Sequence, residues 1–308
     1  MGYAGQWQDR VAAGVLAGTR HPLRPRSRCL DCRERTYPDL EAWLVVTDEN
    51  PPAGGIDVTR PSVARVYDFW LDGKDNFAVD RDMAGRMAEL NPALPQLVRQ
   101  NRQFVCAAAA RAAAAGISQF LDLGAGLPAR PAVHEAVREV NPGARVCYLD
   151  IDPVAVLHGE ALLARGDGLA TVQADLTGPE TVLANPEVRS VIDMTQPTAI
   201  ILAAVLHFLP AGPAAALCAG YMSRAARGSW LIVSCGHYED EKLATRLKQT
   251  ATHARFWNHH AADLASFVGG LEPVAPGVCE ARRWIAGIGG VPSGTPAYAL
   301  AAVAVKSR

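Results

Sequence analysis

The chain has 308 residues, of which 49% are hydrophobic and 20% charged, and its formal net charge is −1. This composition is sufficient for one large core and a small second element. It does not favour a nucleic-acid partner, because phosphate binding needs a clustered basic surface and no lysine-rich block is present. The longest apolar runs, such as 199–206, are far shorter than the roughly 20 residues that span a bilayer, so we expect no membrane anchor.

Cysteine usage indicates a reducing compartment. The count is odd, no secretory leader is recognisable, and several cysteines lie within apolar segments, so we expect free thiols in a cytoplasmic protein. Cys29 and Cys32 have the spacing of half a zinc knuckle, but no second such pair follows. We therefore predict no metal site and leave the role of this pair open. The seven cysteines are at positions 29, 32, 106, 147, 218, 235 and 279.

Residues 1–58 differ from the rest, because they are rich in arginine and proline and show no sustained apolar period. We predict a poorly ordered extension there, which either belongs to the protein or precedes its true start. An ordered domain is predicted over 59–308. It begins with a helical cap, 59–116, whose three helices are predicted at 63–71, 80–89 and 94–115.

Strand-like and helix-like segments alternate from residue 117 to the end of the chain. Such alternation, with nearly continuous apolar strands, predicts an α/β fold with a doubly wound parallel sheet covered on both faces. The last two strands have no helix between them and are joined by a link at 287–296, so we expect a reversed edge strand in a seven-stranded sheet. The predicted strands are 119–123, 144–150, 170–174, 198–204, 229–234, 278–284 and 297–305.

A glycine turn after the first strand predicts a nucleotide-like ligand. Gly124 and Gly126 follow an apolar strand that carries Asp122, and Asp150 ends the second strand 24 residues beyond Gly126. Glycines let the backbone turn sharply beside a ligand, and a carboxylate at the second strand end can accept hydrogen bonds from ribose hydroxyls. Ala125 and Ile151 flank these positions and are assigned to the same site.

The turn fits S-adenosylmethionine better than a dinucleotide. In the dinucleotide motif the third glycine position would be Ala129, which is tolerated, but Pro128 before it is unusual. S-adenosylmethionine has no pyrophosphate, and Asp122 would lie near its ammonium group. Asp175 ends the third strand, where its carboxylate can accept a hydrogen bond from the adenine amino group, and Leu176 follows it.

Six stretches of the chain resemble one known family. They are 61–80, 99–104, 119–128, 148–153, 174–176 and 204–210, and the first contains the specific block Asp-Gly-Lys-Asp-Asn-Phe. The chain resembles, over 59–308, the actinobacterial S-adenosylmethionine-dependent methyltransferases formerly grouped as a domain of unknown function. The resemblance implies a class I methyltransferase (Rossmann-like) fold and S-adenosyl-L-methionine as cofactor, but little about the substrate.

The polar block around Gly73 has two interpretations. It is either a solvated connector between two helices or a lid whose aromatic and acidic groups face the sulfonium, and on the second view Tyr67 and Asn76 bind the cofactor. An EF-hand is excluded, because Lys74 stands where an oxygen ligand is required. Arg102, on the next helix, either clamps the methionine carboxylate or forms a surface ion pair.

His207 is the catalytic candidate, because it follows the fourth strand, where class I methyltransferases bring the methyl group and the acceptor together. Imidazole titrates near physiological pH, so His207 could act as a general base, or it could pack over the cofactor. The remaining histidines have no diagnostic spacing.

The sequence thus predicts a methyltransferase that uses S-adenosylmethionine to modify an oxygen, nitrogen or carbon atom of a small molecule. Two alternatives stay open: a non-catalytic S-adenosylmethionine-binding regulator, and an NAD-dependent oxidoreductase on the same architecture. The acceptor and the oligomeric state are not predicted.

Overall fold

The computed structural model describes residues 56–162, 167–251, 254–287 and 297–307. The extension predicted over 1–58 falls almost entirely outside these ranges, together with Cys29 and Cys32. Most of the predicted 287–296 link also lies outside them.

In the described residues before the first strand there are three helices, as predicted for 59–116: α1 (Val63–Trp70), α2 (Ala78–Leu90) and α3 (Leu94–Ala114). The alanines of α3 let this helix approach the sheet closely, and Ala108, Ala109 and Ala112 are fully buried. The helix ends at Ala114, and Gly116, with a φ of +98°, turns the chain towards the first strand.

The described chain forms one sheet of eight strands in the order β3-β2-β1-β4-β5-β8-β6, with β7 paired to β8. The first five strands are parallel, and β8 runs antiparallel beside β5. This is the doubly wound sheet with a reversed strand that the sequence predicts, but the described residues form eight strands instead of seven, because the two-residue β6 is not predicted and pairs, like β7, with the reversed β8. The strands are β1 (Gln119–Leu123), β2 (Arg145–Asp150), β3 (Leu169–Gln173), β4 (Ala199–Ala203), β5 (Trp230–Tyr238), β6 (Glu272–Pro273), β7 (Cys279–Glu280) and β8 (Ala297–Val305).

Helices cover both faces of this sheet. Successive residues of each central strand enter opposite cores: Phe120 packs with the cap helices, whereas Leu121 packs against the helices of the other face. The helices after the cap are α4 (Val133–Arg138), α5 (Pro153–Leu162), α6 (Pro179–Ala184), α7 (Pro186–Val191), α8 (Ala211–Arg224), α9 (Glu241–Thr250), α10 (Ala261–Phe267) and α11 (Ala281–Ile285).

Two local predictions need correction. The strand predicted over 278–284 is wrong, because only Cys279–Glu280 is extended and α11 follows at once. Ala281 and Trp284 are its buried residues, a helical spacing, and the Trp284 ring packs edge-on against Phe104 of α3 with 5.2 Å between centroids. Helix α9 is not predicted from the sequence, because it is largely polar and buries few side chains.

A buried ion pair attaches the start of the cap to its second helix. Asp80 is fully buried, and its Oδ2 accepts from Arg65 Nε at 2.8 Å and from the Phe77 backbone N–H at 2.8 Å. Its Oδ1 accepts from the Ser62 N–H at 2.9 Å. Arg65 in turn donates to the carbonyls of Asp57 and Arg60. Residues 57–65 are therefore fixed through one carboxylate.

Replacing Asp80 with alanine should lower the free energy of unfolding by about 3–5 kcal/mol, because the Arg65 charge would stay buried without a partner. Chemical denaturation measures this loss. Asp72→Asn is the control, since Asp72 forms an exposed ion pair with Arg99 and should change stability by less than about 1 kcal/mol. Equal effects of the two variants would contradict the anchoring role of Asp80.

Candidate functional site

A cavity of about 460 Å³ lies at the carboxyl end of the parallel strands. Its sheet side is formed by residues at the ends of β1, β2 and β4, and its other side by residues 56–71 of the cap. This is the edge at which open α/β sheets bind ligands. The cavity-lining residues include Tyr67, Arg102, Asp122, Gly124, Ala125, Gly126, Asp150, Ile151 and Leu176, nine positions that the sequence assigns to the cofactor.

The two glycines of the turn are required for different reasons. Gly124 has a φ of +73°, and a Cβ there would lie 2.6 Å from Cγ2 of Val205. Gly126 has a φ of +66°, but a Cβ there would meet no atom within 4 Å. Both positions have a positive φ, which favours glycine. At Gly124 a side chain would also clash with Val205, whereas Gly126 leaves open space beside the backbone, as a ligand in contact with the turn requires.

Asp150 is held by the backbone on both of its oxygens. Oδ2 accepts from the Gly126 N–H at 2.7 Å and Oδ1 from the Asp152 N–H at 2.9 Å. Burial raises the pKa of this carboxyl, and these hydrogen bonds oppose the shift. A carboxylate offers about four lone-pair sites, so Asp150 keeps acceptor capacity for the hydroxyls of a ribose.

Asp122 and Arg102 present opposite charges to the same cavity. Asp122 is 5% exposed, and burial raises its pKa to about 6, while the Arg102 charge lowers it. Arg102 is not a surface ion pair, because its Nε and Nη2 donate to the Pro131 carbonyl at 2.9 and 2.6 Å. An anion and a cation together complement the two charges of an amino-acid group, such as the methionine end of S-adenosylmethionine.

Apolar surface is available for a flat base. Ile151 lines the cavity and is 46% exposed, and buried Leu176 lines it from beyond β3. Asp175 is exposed and is not among the lining residues; its Oδ1 accepts from the N–H and hydroxyl of Thr177 at 2.8 and 2.7 Å. The adenine contact of Asp175 stays a prediction.

Tyr67 connects the cap to the sheet. Its hydroxyl accepts from Asn101 Nδ2 at 2.9 Å, and Asn101 Oδ1 accepts from the Ser234 hydroxyl at 2.5 Å. Ser234 lies in the middle of β5, so this relay fixes the Tyr67 side chain relative to that strand. The sequence offers no signal for Ser234, because it is one serine inside an apolar strand.

The polar block does not line the cavity as a whole. Asn76 is buried outside the lining and donates to Asp68 Oδ2 at 2.8 Å, whereas Asp68 itself lines the cavity. Two contacts join the cap to the segment that follows β2: the Ser62 hydroxyl donates to Asp152, and Asp75 Oδ2 lies 3.2 Å from Nδ1 of His158. Helix α1 and the segment before it thus cover the cavity, and the block supports them.

His207 is placed beside the cavity and not in its lining. Its ring packs against Phe208, which does line the cavity, and burial lowers its pKa to about 3. Nδ1 is buried and has no hydrogen-bond partner in the described part of the chain. The imidazole is therefore neutral, and its role as a general base remains a prediction that this geometry does not favour.

The described residues contain no group of three or more histidine, cysteine or acidic side chains that could hold a metal ion. None of the described helices combines the length and the apolarity that a bilayer crossing needs.

Comparison with known proteins identifies the family. A model of the S-adenosyl methyltransferases matches residues 49–307. The chain belongs to the S-adenosyl methyltransferase family. The match begins ten residues before the start of the domain predicted from the sequence. The family assignment confirms the class I methyltransferase fold, methyl transfer as the activity, and S-adenosylmethionine as the cofactor.

Two solved structures are similar over most of the chain. A Thermobifida fusca protein provisionally assigned as a methyltransferase is 34% identical, with 83% of this chain and 99% of that chain covered and a TM-score of 0.76. A DUF574 family protein from Streptomyces avermitilis is 31% identical, with 82% and 100% covered and a TM-score of 0.74. A search of curated proteins gives no match.

The Asp122 carboxyl makes stability depend on pH. Its pKa is raised from 3.8 to about 6 in the folded protein, so the folded state binds more protons than the unfolded state in that window, and stability falls as pH rises through it. Asp122→Asn removes this effect. The stability of the variant relative to wild type should increase by on the order of 2–3 kcal/mol from pH 4 to pH 7.5.

Denaturation of both proteins without cofactor measures the difference. Asp193→Asn is a control whose pH dependence should have the opposite sign. Hydrogen bonds from Thr195 hold the pKa of exposed Asp193 below its usual value, so the stability that the Asp193 carboxylate contributes is lost as pH falls. A relative stability of Asp122→Asn that does not change with pH would contradict the account.

Proposed function

We propose that this methyltransferase binds its methyl donor and a small-molecule acceptor together in the cavity at the sheet edge. The observation that carries the proposal is the cavity itself: about 460 Å³, with strand-end residues on one wall and cap residues on the other. Ligand pockets for small molecules have volumes of roughly 300–1,000 Å³. A cap over 59–116 and a Rossmann-like core over 117–308 would then contribute one wall each.

The strand-end residues are assigned to the donor. Asp150 would accept from the ribose hydroxyls, beside the open space at Gly126. Asp122 and Arg102 would bind the ammonium and the carboxylate of the methionine end. The adenine would lie between Ile151 and Leu176, and the oxygen of Asp175 not bonded to Thr177 would accept from its amino group. Ala125 and Gly124 complete the turn, while Asn76 would act through its bond to Asp68.

When bound, S-adenosylmethionine supplies a methyl group on a sulfonium, which is already an activated donor. The chain must therefore hold the acceptor in line with that methyl group and exclude water, and proximity of this kind accounts for much of a catalysed transfer. The residues that line the cavity away from the glycine turn are available for this task. They include Tyr67, Asp68, Leu71, Phe208 and Arg255.

The backbone of the turn argues against a dinucleotide. The N–H groups of Gly124 and Ala125 both donate to the Leu149 carbonyl, at 2.7 and 3.0 Å, and that of Gly126 donates to Asp150. A pyrophosphate in a Rossmann fold is bound by free amides of this turn. Together with the family match, this disfavours the NAD-dependent alternative, and the family match favours an enzyme over a non-catalytic regulator.

Calorimetry with S-adenosylmethionine, S-adenosylhomocysteine and NAD tests the donor site. Wild type should bind the first two and not NAD. Asp150→Ala should weaken binding of both at least tenfold, about 1.4 kcal/mol, because the ribose hydroxyls lose a charged acceptor. Asp167→Ala, an exposed carboxylate outside the cavity lining, is the control and should bind normally. Binding of NAD alone, or undiminished binding by Asp150→Ala, would contradict the assignment.

A further inference from the structure

Asp68 is a buried carboxylate to which the proposed donor site assigns no direct contact with the ligand. It lies on α1, is 7% exposed, and lines the cavity on the cap side. Burial raises the pKa of this carboxyl, and its hydrogen bond from Asn76 opposes the shift. A charged group in such a position costs free energy unless it meets a partner.

The polar block is folded around this carboxylate. Asp68 Oδ2 accepts from Asn76 Nδ2 at 2.8 Å and from the Asp75 N–H at 3.1 Å. A Cβ on Gly73 would lie 1.9 Å from Asp68 Oδ1, so only glycine fits there. Asp72, with a φ of +62°, turns the chain so that the Gly73 N–H reaches the Asp68 carbonyl at 2.9 Å. We call Gly73, Asp75 and Asn76 the Asp68 cradle.

The cradle bonds only one of the two carboxylate oxygens. In the described part of the chain, Asp68 Oδ1 has no hydrogen-bond donor, and the Asp68 carboxylate forms no ion pair within 4.0 Å. One oxygen is thus fixed and the other is left for a donor from the cavity. A carboxylate held in this way fits a ligand that brings N–H groups and positive charge.

The charge of the cavity favours a cationic nitrogen over a neutral hydroxyl. Four arginines line the cavity as well. Arg65 is paired with buried Asp80, Arg60 lies 3.9 Å from Asp57, and Arg102 is assigned to the donor, which leaves Arg255 as one cation on the acceptor side. The aromatic rings of Tyr67 and Phe208 line the same cavity, and such rings attract cations. The carboxylates of the lining number five, at positions 57, 68, 122, 150 and 152.

We propose that Asp68 binds the amino group of the acceptor, and that the chain is an N-methyltransferase of small primary or secondary amines. This rests on the proposed function, in which the acceptor shares the cavity with the donor. The bound ammonium first gives one proton to Asp68 Oδ1, which frees the nitrogen lone pair. The neutral nitrogen then forms the new N–C bond while the S–C bond breaks and its electron pair stays on sulfur, and the methylated product leaves as an ammonium while Asp68 returns its proton to water. Asp68 is thereby a catalytic residue.

Ligand binding to the protein saturated with S-adenosylhomocysteine tests this without an identified acceptor. The probes are benzylamine and benzyl alcohol, nearly equal in shape but different in charge at pH 7.5. Wild type should bind the amine at least tenfold more tightly than the alcohol, as measured by calorimetry. Asp68→Asn should abolish this preference, because the amide oxygen carries no charge. Asp72→Asn, the same chemical change on an exposed side chain of the block, should retain it.

A second pair of variants tests the cradle and leaves the Asp68 side chain unchanged. Gly73→Ala should reduce the amine preference, because the added methyl group displaces the carboxylate. Gly85→Ala, on α2 with no atom within 4 Å of its Cβ, should leave it unchanged. If Gly73→Ala retains the amine preference, the cradle does not position the Asp68 carboxylate for the amine.

Three results would overturn the proposal. The first two are no amine preference in wild type and an unchanged preference in Asp68→Asn. The third is that Asp68→Asn weakens the binding of S-adenosylmethionine more than it weakens the binding of S-adenosylhomocysteine. The last would place the carboxylate at the sulfonium instead of the acceptor. These failures differ from that of the proposed function, which would appear as no binding of either cofactor form by wild type.

Discussion

The hydrogen bond from the Gly126 N–H to Asp150 Oδ2 joins the glycine turn after β1 to the end of β2. It fixes the Asp150 carboxylate and uses the amide that a pyrophosphate would need. The neighbouring amides of the turn are bonded to Leu149, so the turn offers a ligand open space and a fixed carboxylate, not free N–H groups. A nucleoside without a pyrophosphate suits this arrangement. The turn thus favours S-adenosylmethionine over a dinucleotide, because its backbone amides are already hydrogen-bonded within the protein.

The second half of the cavity depends on the cap, which is fixed by buried polar groups in addition to its apolar packing against the sheet. The Arg65–Asp80 pair holds the segment before α1, and the relay from Ser234 through Asn101 holds Tyr67. Buried charges of this kind cost desolvation free energy and are tolerated when their hydrogen bonds are satisfied. They favour one defined position of the cap over the sheet edge, so that the cap side of the cavity has a fixed shape.

The sequence predicts the sheet and the meeting of the strand-end acids at one edge well, because both follow from local pattern. Apolar strands bounded by glycines reveal β1 and β2, and the acids at parallel strand ends must meet at one edge, which brings Asp122 and Asp150 to the cavity. The segment 278–284 shows the limit of this reasoning, since its apolar residues fit a strand or a short helix, and contact between Trp284 and Phe104 favours the helix.

The cap side of the cavity is less predictable because it depends on side-chain direction. The block near Gly73 contains several acids, and nothing in their order shows that Asp68 faces the cavity while Asp72 faces Arg99. Similarly, a histidine after β4 can point either way. The short 3₁₀ turn at Leu206–Phe208 leaves the Phe208 side chain, not that of His207, in the cavity lining.

The central claim is that the donor lies in this cavity with its ribose on Asp150. A crystal structure of the protein with S-adenosylhomocysteine tests it most directly. The account predicts both ribose hydroxyls within about 2.5–3.0 Å of the Asp150 carboxylate oxygens, with the methionine end between Asp122 and Arg102. A nucleoside bound outside the cavity, or inside it with the ribose away from Asp150, would contradict the account.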